Sequence, residues 1–260
     1  MALSKNRIKY IHSLEQKKNR KADKVFLAEG PKLVGDLLGH FPCQFLLATS
    51  EWLSRNRPLS TVTDVTEVSE EELSRASLLK TPQQVLAVFR QPDEETDISV
   101  ISHSLCLALD DVQDPGNLGT IVRLADWFGI EHIFCSPNTV DIYNPKTIRA
   151  TMGSLYRVPF VYMENLEEAV SLLKKSGITT YAAHLKGEKF FHQIRYSGGS
   201  AFLIGNEGNG LKTETAQLAD TYLKIPMEGK LESLNASVAA ALLLYQAAGS
   251  KGRFTLGQEK

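Results

Sequence analysis

Three short stretches carry the side chains best placed to do chemistry. Asp114-Pro-Gly-Asn-Leu-Gly-Thr-Ile-Val-Arg123 sets an amide, Asn117, six residues ahead of a guanidinium, Arg123. Phe202-Leu-Ile-Gly-Asn-Glu-Gly-Asn-Gly-Leu-Lys212 places Asn206 and Glu207 within a cluster of glycines. Ile225-Pro-Met-Glu-Gly-Lys-Leu-Glu-Ser-Leu-Asn-Ala-Ser237 gathers Ser233, Asn235 and Ser237. Each stretch follows an apolar run that reads as a strand. Each therefore falls at the carboxyl end of a sheet, where open α/β folds bind ligands. Glycine admits positive φ and close backbone approach, so the middle stretch suits a loop that presents Asn206 and Glu207. Plainer readings stand beside these. Asn-Gly is a common turn dipeptide. An ion pair with a nearby aspartate would explain Arg123, which rises from a largely apolar helix. N-capping would explain one or two of Ser233, Asn235 and Ser237.

The elements that must hold these groups alternate in type. Residues 4–20 have helical spacing of Ile8, Ile11 and Leu14. Strands are expected at 25–28, 45–49, 62–68 and 85–89, with helices after Pro31 and Ser69. This describes a small α/β domain, residues 1–95, closed by the polar linker 91–97. A second alternation fills 96–260: a strand at 105–109, a helix at 120–128 capped by Gly129, then further pairs to a last helix at 235–249. Residues 186–199 read as loop. Such alternation implies a mostly parallel sheet with helices on both faces. Ala236, Ala239, Ala240 and Ala241 permit very close approach of another backbone to the last helix.

Composition narrows the classes. Apolar residues make up 43% of 260, enough for a substantial core, and net charge is −1. The charge is unevenly spread: residues 1–25 hold eight basic side chains against two acidic ones. Lys5, Arg7, Lys17, Arg20 and Lys21 thus offer a phosphate-contact surface, the alternative being a solvated helix face. Cys43, Cys106 and Cys135 are far apart, and no Cys/His spacing suggests a metal. Isolated cysteines fit a reducing cytosol. The polar, basic N-terminus does not suit a signal peptide, and the longest apolar run, 238–245, is too short to span a bilayer. No G-x-G-x-x-G follows the first strand of either domain, and Gly208-Asn-Gly-Leu-Lys-Thr213 lacks the spacing of a Walker loop.

Taken together, Asn117-x5-Arg123, Gly205-Asn-Glu-Gly-x-Gly210, Ile225-Pro-Met and Ser233-Leu-Asn-x-Ser237-Val-Ala resemble the three ordered motifs of the SpoU (TrmH-type) RNA ribose methyltransferases. The resemblance covers roughly residues 103–249. Residues 4–90, with Phe26-Leu-Ala-Glu-Gly-Pro-Lys32, resemble the substrate-binding domain often found ahead of that catalytic domain. The resemblance implies a parallel sheet with a deep trefoil knot, a homodimer with the active site at the subunit interface, and S-adenosylmethionine as cofactor. By position, Asn117, Arg123, Glu207 and Asn235 would form the catalytic cluster, helped by Ser233. Gly205, Asn206, Ile225, Pro226, Met227 and Leu234 would contact the cofactor. The implied reaction is methylation of a ribose 2′-hydroxyl, with ribosomal RNA first and transfer RNA second as substrate. A non-catalytic RNA-binding member of the fold is the alternative. A cytoplasmic location is expected.

Overall fold

The computed structural model describes residues 3–56, 62–92, 104–230 and 233–252. Residues 93–97 of the expected linker, and Leu231 and Glu232 of the third stretch, lie outside them. The chain forms two compact units, Met1–Glu94 with Asp141–Tyr156, and Glu95–Val140 with Arg157–Lys260.

The first unit opens with helices α1 (Lys5–Ser13) and α2 (Lys17–Asp23), so the expected single helix over 4–20 is broken. The break has a cause. Arg20 turns back and donates to the carbonyls of Leu14 and Glu15, 2.7 Å each, at the end of α1. There follow β1 (Val25–Glu29), α3 (Pro31–Leu37), β2 (Cys43–Ala48), α4 (Ser50–Arg55), β3 (Val65–Glu67), α5 (Glu70–Ala76) and β4 (Val85–Arg90). The sheet runs β1-β4-β2-β3. β4 is antiparallel to both neighbours, and β3 parallel to β2. Ser69 caps α5 as its sequence announces, exchanging bonds with Glu72 in a capping box. Ile11, Leu14, Leu27, Phe45, Leu73 and Val88 meet in one core.

Helix α7 (Pro145–Thr151) lies late in the chain yet belongs to this unit. The division at 95/96 expected from sequence is therefore interrupted by Asp141–Tyr156. Local packing explains it. The Arg20 guanidinium donates to Asp141 at 2.5 Å, and Tyr143 stacks on Phe26 with ring centroids 5.2 Å apart.

The second unit is built on β5 (Leu105–Leu109), α6 (Pro115–Phe128), β6 (His132–Cys135), β7 (Phe160–Tyr162), α8 (Leu166–Lys175), β8 (Thr179–Ala183), β9 (Lys189–Phe190), β10 (Ser200–Ile204), α9 (Thr213–Gln217), β11 (Thr221–Lys224) and α10 (Ala236–Ser250). Its sheet order is β7-β6-β5-β10-β8-β11-β9, parallel throughout. The two-residue β9 falls within the loop-rich stretch 186–199 and has no signal in the sequence, because two residues carry no readable period. β10, Ser-Ala-Phe-Leu-Ile, is buried at every position, as a strand covered on both faces must be. Among the described residues no helix is long and apolar enough to cross a membrane.

Candidate active site

Register decides which loops meet. β10 pairs with β5 so that Ile204 lies beside Leu109. The loops that leave these strands, 110–114 and 205–212, therefore emerge side by side. The first leads into α6, which starts at Pro115 rather than at 120. Asp114 is its N-cap, accepting from the Asn117 N–H at 2.9 Å, and Pro115 fits the first turn. Asn117 is thus fixed in the opening turn of a helix, with its side chain largely buried.

The second loop is pinned at its root. An added Cβ at Gly205 would stand 2.2 Å from both the Gly210 carbonyl carbon and the Leu211 nitrogen, so only glycine fits. Asn206 and Gly210 exchange backbone bonds of 2.9 Å. The Asn206 side chain accepts from the N–H groups of Gly208 and Asn209 and donates to the Asp111 carbonyl at 2.8 Å. That amide shapes the loop. Glu207 then reaches across to α6. Its carboxylate accepts from the backbone N–H groups of Gln113 and Asp114, both at 3.3 Å, and from the Asn117 amide at 2.8 Å. Asn117 in turn accepts from Asn235 Nδ2 at 2.9 Å. Asn235 is the N-cap of α10, its oxygen taking the N–H groups of Ser237 and Val238. A continuous line of donors and acceptors runs from the start of α10 through Asn235 and Asn117 to Glu207, joining all three stretches.

At the root of the same loop, Lys212 Nζ lies 2.9 Å from Asp111 and 3.4 Å from Asp110 Oδ1, the latter an ion-pair distance without hydrogen-bond alignment. Burial works against ionisation of Asp111. Hydrogen bonds from Lys212, Ser136 and Asn138 outweigh it and hold the carboxyl below its ordinary value. The hydrogen bond to Asp111 pushes the Lys212 ammonium up.

Beside this polar line is a cleft of about 550 Å³, in the range of small-molecule sites. Gly205, Asn206 and Glu207 form one wall, and Ile225, Pro226, Met227, Ser233 and Leu234 another. All the residues expected to contact a cofactor thus line one cavity. Sequence reasoning missed the third wall, Ala183 to Lys186 after β8. No motif flagged it, because its place follows only from β8 lying between β10 and β11.

Arg123 does not join the cluster within its own chain. Six residues on from Asn117, it is turned about 120° around the helix. It is exposed, and no ion pair holds it among the described residues. It shares its face with Trp127, 82% exposed. Two of the basic residues expected to meet phosphate are also otherwise engaged. Arg20 is 1% exposed and spent on Asp141 and α1, which corrects its reading as an RNA contact. Arg7 pairs with Asp64 and lies over the Phe45 ring, 4.7 Å from its centroid. Lys5, Lys17 and Lys21 are exposed.

Comparison with known proteins agrees with this architecture. The SpoU rRNA Methylase family matches residues 104–245, and an MRM3-like substrate binding domain matches residues 5–87. Fold and site define a two-domain RNA methylase. The chain belongs to the SpoU rRNA methylase family. It is 33% identical, over 94% of its length and 96% of the relative's, to the 23S rRNA (guanosine(2553)-2′-O)-methyltransferase RlmP of Bacillus subtilis. A putative TrmH-family RNA methyltransferase structure from Porphyromonas gingivalis superposes with a TM-score of 0.86 at 35% identity, covering 98% of this chain and 100% of that one. An AdoMet-bound rRNA methyltransferase structure from Sinorhizobium meliloti gives 0.83 at 34%, covering 95% of each.

Proposed function

We propose that this protein transfers a methyl group from S-adenosylmethionine to a ribose 2′-hydroxyl of ribosomal RNA. The observation that carries the reading is the line Glu207–Asn117–Asn235 beside the cleft. The cleft fits the cofactor: Ile204, Leu223, Ile225, Leu234 and Ala236 supply apolar walls, and the glycine-only turn at Gly205 leaves backbone accessible. Bound there, S-adenosylmethionine supplies an electrophilic methyl on a sulfonium. Gly205, Ile225 and Leu234 would hold it, with Asn206, Pro226 and Met227 at the rim.

The protein's remaining task is to place a hydroxyl in line with that methyl, since positioning supplies much of the rate. The hydroxyl is a poor nucleophile and sheds its proton during transfer. Glu207 already accepts from three N–H groups, so it acts as the scaffold that orients Asn117 and Asn235. Ser233, exposed at the cleft, helps to hold the ribose. Arg123 steadies the negative charge that develops on oxygen and grips the adjacent phosphate; a free guanidinium has a pKa above about 12 and suits that role.

Arg123 reaches a site only across a dimer interface. Val238, Leu242 and Tyr245 recur at i, i+4 and i+7 on α10 and are exposed, as is Trp127 on α6. An apolar face of this kind marks an interaction surface. A second copy covers it and receives Arg123 beside its own Glu207. The trefoil knot belongs to the same reading. Its support is the close approach of two distant chain segments at Gly187, where a Cβ would stand 2.5 Å from the Leu223 carbonyl carbon. The first domain, 1–95, binds the RNA through Lys5, Lys17, Lys21 and the shape of the substrate. Three free cysteines fit a cytoplasmic location.

The test is incorporation of labelled methyl from S-adenosylmethionine into protein-free ribosomal RNA, followed by digestion to nucleosides. A 2′-O-methylated nucleoside, absent from RNA of cells lacking the gene, is expected. Label on a base, or on transfer RNA alone, contradicts the reading.

A further inference from the structure

We propose that Lys212 is a positioning residue for methyl transfer: it fastens the Glu207 loop to the Asp110–Asp111 turn, and so sets the Glu207 carboxylate against the start of α6. This rests on the methyltransferase reading of the site.

Local rules do not explain a lysine here. Lys212 occupies the N-cap of α9 and makes no side-chain cap. That position favours Ser, Thr, Asp or Asn, and a cation at a helix N-terminus opposes the dipole. Its chain turns instead to the two aspartates at the end of β5. The backbone N–H donates to Asp110 Oδ2 at 2.9 Å. The ammonium reaches Asp111 Oδ2 at 2.9 Å and stands 3.4 Å from Asp110 Oδ1. Asp110 is 1% exposed, and a buried carboxylate needs such a cation.

The aspartate turn is itself held under constraint. Asp111 adopts φ +56°, a conformation kept only where surroundings enforce it. Those surroundings are Lys212, Ser136 and Asn138 on its carboxylate and Asn206 on its carbonyl. The turn continues into Gln113 and Asp114, whose N–H groups Glu207 accepts. The loop is thus tied at both ends to the start of the turn, at Asn206–Asp111 in front and at Lys212 behind. Between these ties lies the carboxylate that aligns Asn117 and Asn235. Removing the ammonium leaves the rear tie to one backbone bond and lets Glu207 drift, and small misplacements cost rate steeply.

The experiment compares Lys212→Met, Lys212→Arg, Asp111→Asn and the Lys212→Met/Asp111→Asn pair in the full-length protein. Methyl transfer to ribosomal RNA gives kcat and KM, calorimetry gives S-adenosylmethionine affinity, and thermal melting gives the folded fraction. Lys212→Met should lower kcat at least about tenfold while KM for RNA stays within about twofold. Lys212→Arg should restore most of the rate, and the paired variant should fall no further than Lys212→Met. The proposal is overturned if Lys212→Met keeps kcat within about twofold of wild type, if Arg fails to restore it, or if lost activity only follows lost folding. Multiplying defects in the paired variant also overturn it, because then the two side chains act independently. Failure of the wild-type protein itself to methylate ribose would refute the underlying reading rather than the clamp.

Discussion

Glu207, Asn117 and Arg123 face opposite energetic situations. The first two are bonded to one another inside the chain, and Asn117 is mostly buried. Removing either leaves donors or acceptors unmet, at about 1–3 kcal/mol. Asn117→Ala should therefore lower the urea midpoint as well as cutting kcat by roughly 10²-fold, the scale of lost transition-state donors. An Asn117→Ala enzyme with unchanged stability and rate would refute the line of bonds. Arg123 is exposed and unpaired among the described residues. Arg123→Ala should leave the stability of the single chain within about 0.5 kcal/mol, as for other changes exposed there, while methylation falls more than about a hundredfold. Lysine at 123 keeps charge but loses the fork, so Arg123→Lys should recover only part of the rate. Normal turnover by Arg123→Ala would remove it from the mechanism.

At the scale of elements, single contacts hold whole segments. Arg20 ties the end of α1 to Asp141, and both side chains are largely out of water. Arg20→Ala strands the Asp141 carboxylate, at about 3–5 kcal/mol. Thermal melting should show that loss; a shift below about 1 kcal/mol would contradict the role. Asp220 joins β11 to β8 in a similar way, accepting from the Thr180 N–H and hydroxyl and from Lys174. Burial opposes its ionisation, but these bonds prevail and its pKa is lowered. A depressed carboxyl contributes stability above its unfolded value and loses it as pH falls through the folded one. Wild type should thus lose stability from about pH 4 downward, and Asp220→Asn should be weaker at neutral pH with a flatter acid limb. Equal acid limbs would dismiss this account. These elements also show what sequence conveys. The buried strand β10 and the Ser69 cap depend on neighbouring residues and are legible in the sequence, whereas the reciprocal bond from Glu72 and the choice of Asn235 over Ser233 and Ser237 as the α10 cap are not. Grouping Asn117, Glu207 and Asn235 needed the ordered motifs as well. Arg20–Asp141 spans 121 positions, so neither its burial nor the transfer of α7 to the first unit has a local signature. Asp114-Pro is the local signal for the start of α6 at Pro115; that Arg123 stands apart from Asn117, Glu207 and Asn235 depends on the tertiary arrangement.

For the whole molecule, the exposed apolar face of α6 and α10 carries the account. Trp127 is 82% and Tyr245 62% exposed in one chain. In the proposed dimer, a second copy would cover that surface and bring a new guanidinium to each Glu207. Trp127→Glu should yield monomers in sedimentation analysis, still able to bind S-adenosylmethionine but without turnover. Active monomers would mean that Arg123 serves its own chain. On the proposed reading, the methyl-transfer site combines the cleft of one copy with Arg123 of another. Mixed dimers of Arg123→Ala and Glu207→Ala chains test it most directly, by methyl transfer to ribosomal RNA. Each variant alone should be inactive. Mixing and re-forming dimers should restore transfer, because one site then combines an intact Glu207 with an intact Arg123 from the other copy. If mixed dimers stay as inactive as their parents while wild type methylates, the shared site is wrong.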